Sequence, residues 1–294
     1  MNTSIKTWIY ATRPHTLGAS IAPMLIVLGA LINSNNINWG LYILCFIVAV
    51  SAQIASNLAN DYYGYISGED TVKRVGFKRL LSSGELQPKE IKIALYITLL
   101  VCAVTGLTIS IFSGWELLLI GGLILISAIT YSAGLFSLAR TALGDFAVVL
   151  FFGIIPILVS YYAITNIKPP FYLVLLALGI GMWEANILVC NNYRDHSEDT
   201  ASGKRTLIVR MGKEAGPVLY FINSLVALLA LIIGVLIEGS YLGAIIIGIV
   251  ALSLFLNGVL AIKRLNGNSL NKLLKYTNFT TIVIGVITMA ILVI

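Results

Sequence analysis

Apolar residues are so frequent along this chain that the informative positions are the places where they stop. Apolar runs bounded by Gly, Pro, Asn and clusters of charge lie near residues 16 to 33, 40 to 60, 91 to 112, 117 to 136, 143 to 164, 171 to 192, 215 to 237, 240 to 262 and 273 to 293. A helix rises about 1.5 Å per residue and the hydrocarbon core is about 30 Å thick, so about 20 apolar residues suffice to cross a bilayer. Each run therefore predicts a span. The pattern as a whole predicts an all-α integral membrane protein of nine transmembrane helices. The fourth and fifth runs meet at a broken junction, Tyr131 to Thr141, which contains Gly134 and Arg140. Trp8, Arg13, Pro14 and His15 precede the first run and no small-residue cleavage site follows it, so a retained span and no signal peptide are expected.

Composition agrees with this pattern and charge orients it. Of the 294 residues 58% are hydrophobic and 11% charged, which excludes an ordinary water-soluble domain. The net charge of +6 suggests an anionic partner at first sight, but the basic residues are confined to the segments between runs. Lys and Arg collect in cytoplasmic loops. With the amino terminus inside, all 19 of them except Lys168 fall on the inner side. This places the protein as a multi-pass component of the cytoplasmic (inner) membrane, with its chemistry on the inner face and no need of nucleic acid to explain the charge. Cys45, Cys102 and Cys190 sit inside apolar runs without metal-ligand spacing and read as small buried hydrophobes. The sequence sets no oligomeric state.

Two inner segments carry most of the polar chemistry, and they open alike. Asn57-Leu-Ala-Asn-Asp61 and Asn191-Asn-Tyr-Arg-Asp195 each place an Asn four residues before an Asp at a helix end, which puts both side chains on one face. Each segment then carries Glu-Asp-Thr, at Glu69-Asp70-Thr71 and Glu198-Asp199-Thr200, and a Lys-Arg pair, at 73 and 74 or 204 and 205. The repetition suggests one transmembrane domain over 1–294 made of two related halves, roughly 1–140 and 141–294, facing one another across a binding site. Carboxylates at the ends of apolar helices mark function by default. Asp195 and Asp199 are four apart, so their like charges share a face and favour a cation between them. Magnesium takes a few carboxylates, several waters and phosphate oxygens. Asp61, Asp195 and Asp199 therefore suit a metal-bridged diphosphate, with Lys73, Arg74, Lys78, Arg79, Lys204 and Arg205 as donors to its oxygens. Solvation and topology account for most of these basic residues individually, but not for a repeated Asn-x-x-x-Asp. A cation-coupled secondary transporter also uses paired carboxylates on facing repeats, but it would hold them near the bilayer midplane.

Gln53 to Tyr62, Asn191 to Asp199 and Gly203-Lys-Arg-Thr-Leu207 resemble the two aspartate-rich motifs of the UbiA superfamily of intramembrane prenyltransferases. Arg13-Pro14-x-Thr16, Leu143-Gly144-Asp145 and Phe151-Phe152-Gly153 extend the likeness over nearly the whole chain. Within the superfamily the sequence is most similar to the 1,4-dihydroxy-2-naphthoate polyprenyltransferases of menaquinone synthesis, in Gly68-x-Asp70, Ser83-Gly84 and Asn-Asn-Tyr-Arg-Asp ahead of Gly-Lys-Arg-Thr-Leu. It departs where the family has a further Asp after the first, at Gly64 and Tyr65, so Asp70 or Glu69 is left to take that share of the metal.

The resemblance implies helices around a central cavity and a magnesium ion held by Asp61, Asp70, Asp195 and Asp199. It implies a polyprenyl diphosphate bound with help from Asn57, Asn191, Arg13, Lys78, Arg79, Arg194, Lys204 and Arg205. The acceptor would be 1,4-dihydroxy-2-naphthoate, prenylated with loss of carbon dioxide to demethylmenaquinol; 4-hydroxybenzoate is the alternative acceptor. An allylic cation needs dry apolar and aromatic walls, worth about 0.5 to 2 kcal/mol for each ring face. Tyr131, Phe151, Phe152, Tyr161, Tyr162 and Trp183 are the candidates. Glu184 lies seven residues before Asn191 and eleven before Asp195, hence on about the same face, and either receives the acceptor's proton or bonds another span. Asp145 is a second polar candidate near the site.

Overall fold

The computed structural model describes residues 4–32, 37–68, 76–134 and 137–294, and among these the chain is helical throughout, with no strand. A short helix α1 (Ile5–Ala11) and a 3-10 turn (Pro14–Thr16) lead into α2 (Gly18–Ile32) at a bend of 60°. There follow α3 (Trp39–Ile66), α4 (Pro88–Ser113) and α5 (Leu117–Thr130). The next span is composite: α6 (Leu143–Val149), a π-helical stretch (Leu150–Val159) and α7 (Ser160–Thr165). After α8 (Phe171–Arg194) come two short helices, α9 (His196–Ala201) and α10 (Leu207–Met211), and then α11 (Ala215–Glu238), α12 (Tyr241–Arg264) and α13 (Leu270–Val293).

Seven of these segments are long and apolar enough to cross a membrane, or eight with the bent amino-terminal pair. The expected count of nine is not reached by this criterion. The exception is the run near 117 to 136, whose helix α5 has only 14 residues. At 1.5 Å per residue it covers about 21 Å, short of the hydrocarbon core.

Helix α8 is the axis of the bundle, with 67% of its span buried against 28 to 50% for the other six. Small residues set its closest neighbours. The π-helical stretch lies against α8 through Gly153 and Gly181, where a Cβ on Gly153 would stand 2.7 Å from the Gly181 Cα. Close backbone approach of this kind replaces hydrophobic driving force between helices in lipid. On the other flank, a Cβ on Gly285 of α13 would meet the Ala22 Cα of α2 at 3.0 Å. The wide pitch around Pro156 does not break the span, because π-type bonding re-satisfies carbonyls that a proline leaves without a donor. It also rotates Phe151 and Phe152 to the side of the bundle that lines the cavities described below.

Candidate active site

The first corner of the site is built where α3 meets the amino-terminal turn. Asn57 Nδ2 donates to the Thr12 carbonyl and the Thr16 hydroxyl, both at 3.0 Å, so the amide pins this turn against α3. Arg13 is held there with φ of 53°, a left-handed conformation that costs a non-glycine residue about 1 to 3 kcal/mol and persists only where the surroundings impose it. The result is a guanidinium aimed at α3, which donates to Asn60 Oδ1 at 3.3 Å and to Asp61 Oδ1. Arg79 Nη1 donates to the same Asp61 oxygen at 2.7 Å. Asp61 is 3% exposed.

A second corner forms at the end of α8. Arg194 holds the Asp195 carboxylate at both oxygens, Nε to Oδ1 at 2.6 Å and Nη2 to Oδ2 at 2.7 Å, while its Nη1 donates to Asn271 Oδ1 at 2.6 Å. The Asp199 amide donates to the Asp195 carbonyl at 2.8 Å, which continues a helical turn through both aspartates. Lys204 Nζ donates to Asp199 Oδ1 at 2.8 Å. This loop is tied to the start of α6 by the Arg205 amide donating to the Arg140 carbonyl at 2.7 Å and by Arg140 Nη2 donating to the Ser202 carbonyl at 2.9 Å.

Both corners face one polar chamber of about 220 Å³. Arg13, Asn57 and Arg79 line it from the first corner, and Asn191, Arg194, Asp195, Asp199 and Lys204 from the second. Glu184 lies deeper in its wall, 2% exposed and with Oε1 lacking a hydrogen-bond partner. Two further spaces adjoin it. A smaller polar vestibule of about 90 Å³ shares Asn60, Arg79, Asp199 and Lys204 with the chamber, and Gly64, one of the two positions where the family pattern carries a further acid, lines it. Towards the bundle interior, Gln53, Ser56, Tyr131 and Phe152 separate the polar chamber from an apolar one of about 130 Å³, whose wall includes Phe151 and Pro156. The site thus runs from ionic to apolar along α3.

Several expected residues lie elsewhere. Asp61 does not line the chamber, because its charge is covered by Arg13 and Arg79, and these two present themselves instead. Lys78 pairs with Glu85 at the surface, where water makes such a pair weak and keeps the ammonium out of the chamber. Arg205 contributes its backbone to the bridge at Arg140, and its side chain is exposed. The Tyr162 hydroxyl donates to Glu116 Oε1 at 2.6 Å, beside the α4–α5 turn at the opposite end of the bundle. Tyr161 packs against the core, and Trp183 is buried with its indole N–H donating to Thr280 Oγ1 at 3.1 Å. Asp145 is not among the residues of the chamber wall, although its charge is felt at Tyr131, and its Oδ2 lacks a hydrogen-bond partner. Glu69, Asp70, Lys73 and Arg74 lie outside the described residues.

The chamber wall also holds residues that the sequence reading did not propose for the site, among them Gln53, Asn60, His15 and Phe77. Gln53 had a signal, since it precedes Asn57 by one helical turn inside an apolar run. His15 and Phe77 stack at a centroid distance of 4.3 Å although they are far apart in sequence, and no periodicity links them.

Known proteins place this geometry. The sequence model of the UbiA prenyltransferase family matches residues 20–281. A 1,4-dihydroxy-2-naphthoate octaprenyltransferase of Haemophilus influenzae is 32% identical over 238 residues, covering 78% of this chain and 77% of its own. The enzyme of that name from Escherichia coli is 33% identical over 216 residues, covering 71% and 69%. A UbiA homolog from Aeropyrum pernix K1 superposes with a TM-score of 0.72 at 16% identity, over 94% of this chain and 98% of the other. One from Archaeoglobus fulgidus, solved with DMAPP and Mg2+, gives 0.66 at 15% identity, over 96% and 99%. The chain belongs to the UbiA prenyltransferase family and is a multi-span membrane enzyme that transfers prenyl groups.

Proposed function

We propose that this protein transfers a polyprenyl group from polyprenyl diphosphate to 1,4-dihydroxy-2-naphthoate, with magnesium and with loss of carbon dioxide, giving demethylmenaquinol. The observation that carries this reading is the passage from an ionic chamber, with carboxylates and guanidinium groups on facing walls, into an apolar one behind Tyr131 and Phe152. A prenyl diphosphate has the same two ends. The acceptor is proposed from the names of the two naphthoate-prenylating relatives.

The donor set suits magnesium. Among the described residues no three acidic, His or Cys side chains form a metal cage, but magnesium at phosphate sites takes one or two carboxylates and completes its shell with water and substrate oxygens. Asp195 and Asp199 would hold it, with Asn191 one turn back on α8. Asp61 would be available as a further ligand if an incoming diphosphate drew Arg13 and Arg79 onto its own oxygens. Magnesium, when bound, neutralises charge that develops on the departing diphosphate.

The chain's own residues do the rest. Arg13, Arg79, Arg194 and Lys204 bind diphosphate oxygens by charge-assisted hydrogen bonds. The bond between the prenyl C1 and the bridging oxygen breaks, and its electron pair leaves with the diphosphate. Phe152 and Tyr131 flank the allylic cation that results and keep water from it. The carboxyl-bearing carbon of the naphthoate attacks C1, and carbon dioxide is lost from that carbon. Glu184, whose Oε1 has no protein partner, takes the proton of the acceptor hydroxyl as the carbon attacks and returns it to that oxygen as carbon dioxide leaves, so that the product is the quinol. The site lies at the inner face of the cytoplasmic membrane, with the amino terminus inside. The two corners, Asn57 with Asp61 and Asn191 with Asp195, belong to two related halves, 1–140 and 141–294.

Purified protein in lipid nanodiscs, given a prenyl diphosphate and a panel of acceptors, tests this reading. Prenylated product and carbon dioxide from 1,4-dihydroxy-2-naphthoate are expected. Product from 4-hydroxybenzoate alone would overturn the acceptor, and cation-driven uptake into liposomes without diphosphate release would overturn the reaction.

A further inference from the structure

Ahead of α4 the chain runs along the wall of the polar chamber as a strap, and the residues that hold this strap belong to two different cores. Leu80 and Leu81, 2% and 4% exposed, sit in an apolar cluster with Leu58 and Ala59 of α3 and Ile91 and Leu95 of α4. Phe77 packs instead against the main core of the bundle, which contains Leu270, Leu273 and Leu274 of α13. Between these anchors there is no regular structure, and among the described residues Gly76, Phe77 and Lys78 make no backbone hydrogen bond. Side chains alone fix the path of this part of the strap.

The Phe77 ring has two partners from other segments. Its centroid lies 4.3 Å from that of His15, in the turn that carries Arg13, and Lys275 Nζ of α13 lies over the ring at 5.6 Å. A cation within about 6 Å of a ring centroid is attracted to the ring face, an interaction that an aliphatic side chain cannot offer. One ring thus joins the amino-terminal turn, the strap and α13. The residues that follow part at once: Lys78 turns outward to Glu85, while Arg79 turns into the chamber and donates to Asp61 at 2.7 Å.

We infer that Phe77 is a positioning residue for Arg79: the seat of its ring on His15 and Lys275 fixes where the Arg79 guanidinium is presented, and so sets the affinity for the donor without touching the reacting atoms. This rests on the reading that Arg79 binds the donor's diphosphate. Each guanidinium that covers Asp61 then has its own anchor, since Asn57 pins the turn of Arg13 in the same way that Phe77 seats the strap of Arg79.

Steady-state kinetics of the whole protein in lipid nanodiscs, with acceptor saturating and donor varied, tests the inference. Phe77→Ala should raise donor KM about tenfold and leave kcat within about twofold of wild type, the pattern of lost binding rather than lost chemistry. Phe77→Leu, which keeps apolar bulk without a ring face, should shift donor KM in the same direction, and Phe77→Tyr should restore it. In an Arg79→Gln background Phe77→Ala should add less than about a further twofold, because a residue acting through Arg79 is not additive with it. The same factor in both backgrounds, a fall in kcat with donor KM unchanged, or a Phe77→Leu variant that matches wild type overturns the inference. A second arm needs no turnover. Lys78 and Lys263 are exposed and the native Cys45, Cys102 and Cys190 are buried, so Lys78→Cys and Lys263→Cys take nitroxide labels whose separation is read by double electron–electron resonance. A narrow distribution that broadens in Phe77→Ala and Phe77→Leu but not in Phe77→Tyr supports the seat of the ring, and one indifferent to Phe77 overturns it. Donor KM unchanged by Arg79→Gln would instead refute the diphosphate reading of Arg79, and with it the effect on affinity, whatever the distances show.

Discussion

Replacing Asp195 with Ala removes a carboxylate that does two things at once, and the structure allows them to be separated. The Arg194 side chain is 2% exposed and that of Asp195 6%, so the variant leaves a guanidinium nearly out of water without its bidentate partner. Breaking a buried ion pair from one side costs about 3 to 5 kcal/mol. Arg194 keeps its bond to Asn271, which places the cost near the lower end, about 3 kcal/mol. At roughly 2 to 4 °C per kcal/mol, the apparent unfolding midpoint should fall by roughly 6 to 12 °C. Cys45, Cys102 and Cys190 are all free and buried, so a thiol-reactive dye reads unfolding directly. The double variant Arg194→Met, Asp195→Ala removes both charges and should return to within about 1 kcal/mol of wild type, since apolar groups replace buried ion pairs at little net cost. Its diphosphate release should stay absent, because no carboxylate remains at 195 for the cation. Recovery of turnover in the double variant would show that neither Arg194 nor Asp195 is needed for the chemistry, and full turnover in the single variant would remove Asp195 from the site.

Other substitutions test the wall of the chamber and the residues placed outside it. Glu184→Gln should lower kcat for acceptor prenylation by about 10² or more while leaving KM for the prenyl diphosphate unchanged, as for a lost proton acceptor; a change in donor KM alone, in steady-state kinetics, argues against the role. Lys78→Ala, Arg205→Ala and Tyr162→Phe should each alter the unfolding midpoint and turnover little, within about 0.5 kcal/mol, because none of these side chains faces the chamber. A large activity loss in any of them would contradict its placement. Gly153→Val should destabilise the protein by about 1 to 3 kcal/mol or more through collision with Gly181, read as a lower unfolding midpoint, whereas Gly122→Leu should not.

The membrane architecture was legible in the sequence because hydropathy reports burial in lipid whatever the local geometry. The same insensitivity hid the pitch of 150–159. Gly153 and Pro156 were visible, but nothing in an apolar run distinguishes an α-helical turn from a π-helical one. The fourth run was apolar to residue 136, yet its helix ends at Thr130, near the Gly134 that interrupts the pattern. Helical spacing paired Asn57 with Asp61 and Asn191 with Asp195, and the structure has Asn57, Asn191 and Asp195, but not Asp61, in the chamber wall. It could not tell that two arginines cover Asp61, since Arg13 and Arg79 reach it from segments 48 and 18 residues away. Nor does periodicity resolve loops, which is why Lys78 and Arg79, adjacent in sequence, part company between surface and chamber. Tyr162 fails for a simpler reason. It lies ten residues beyond Phe152 on one span, about 15 Å deeper, and so at the other end of the membrane.

The central claim is that Asp195 and Asp199 hold a divalent cation together with the donor's diphosphate, opposite Arg13 and Arg79. Manganese can replace magnesium as a paramagnetic probe, titrated into the protein with and without a non-cleavable prenyl thiolodiphosphate and read by electron paramagnetic resonance. The account predicts saturable manganese binding that requires the analogue and disappears in Asp195→Asn, Asp199→Asn. Equal binding in that variant, or binding indifferent to the analogue, would contradict it.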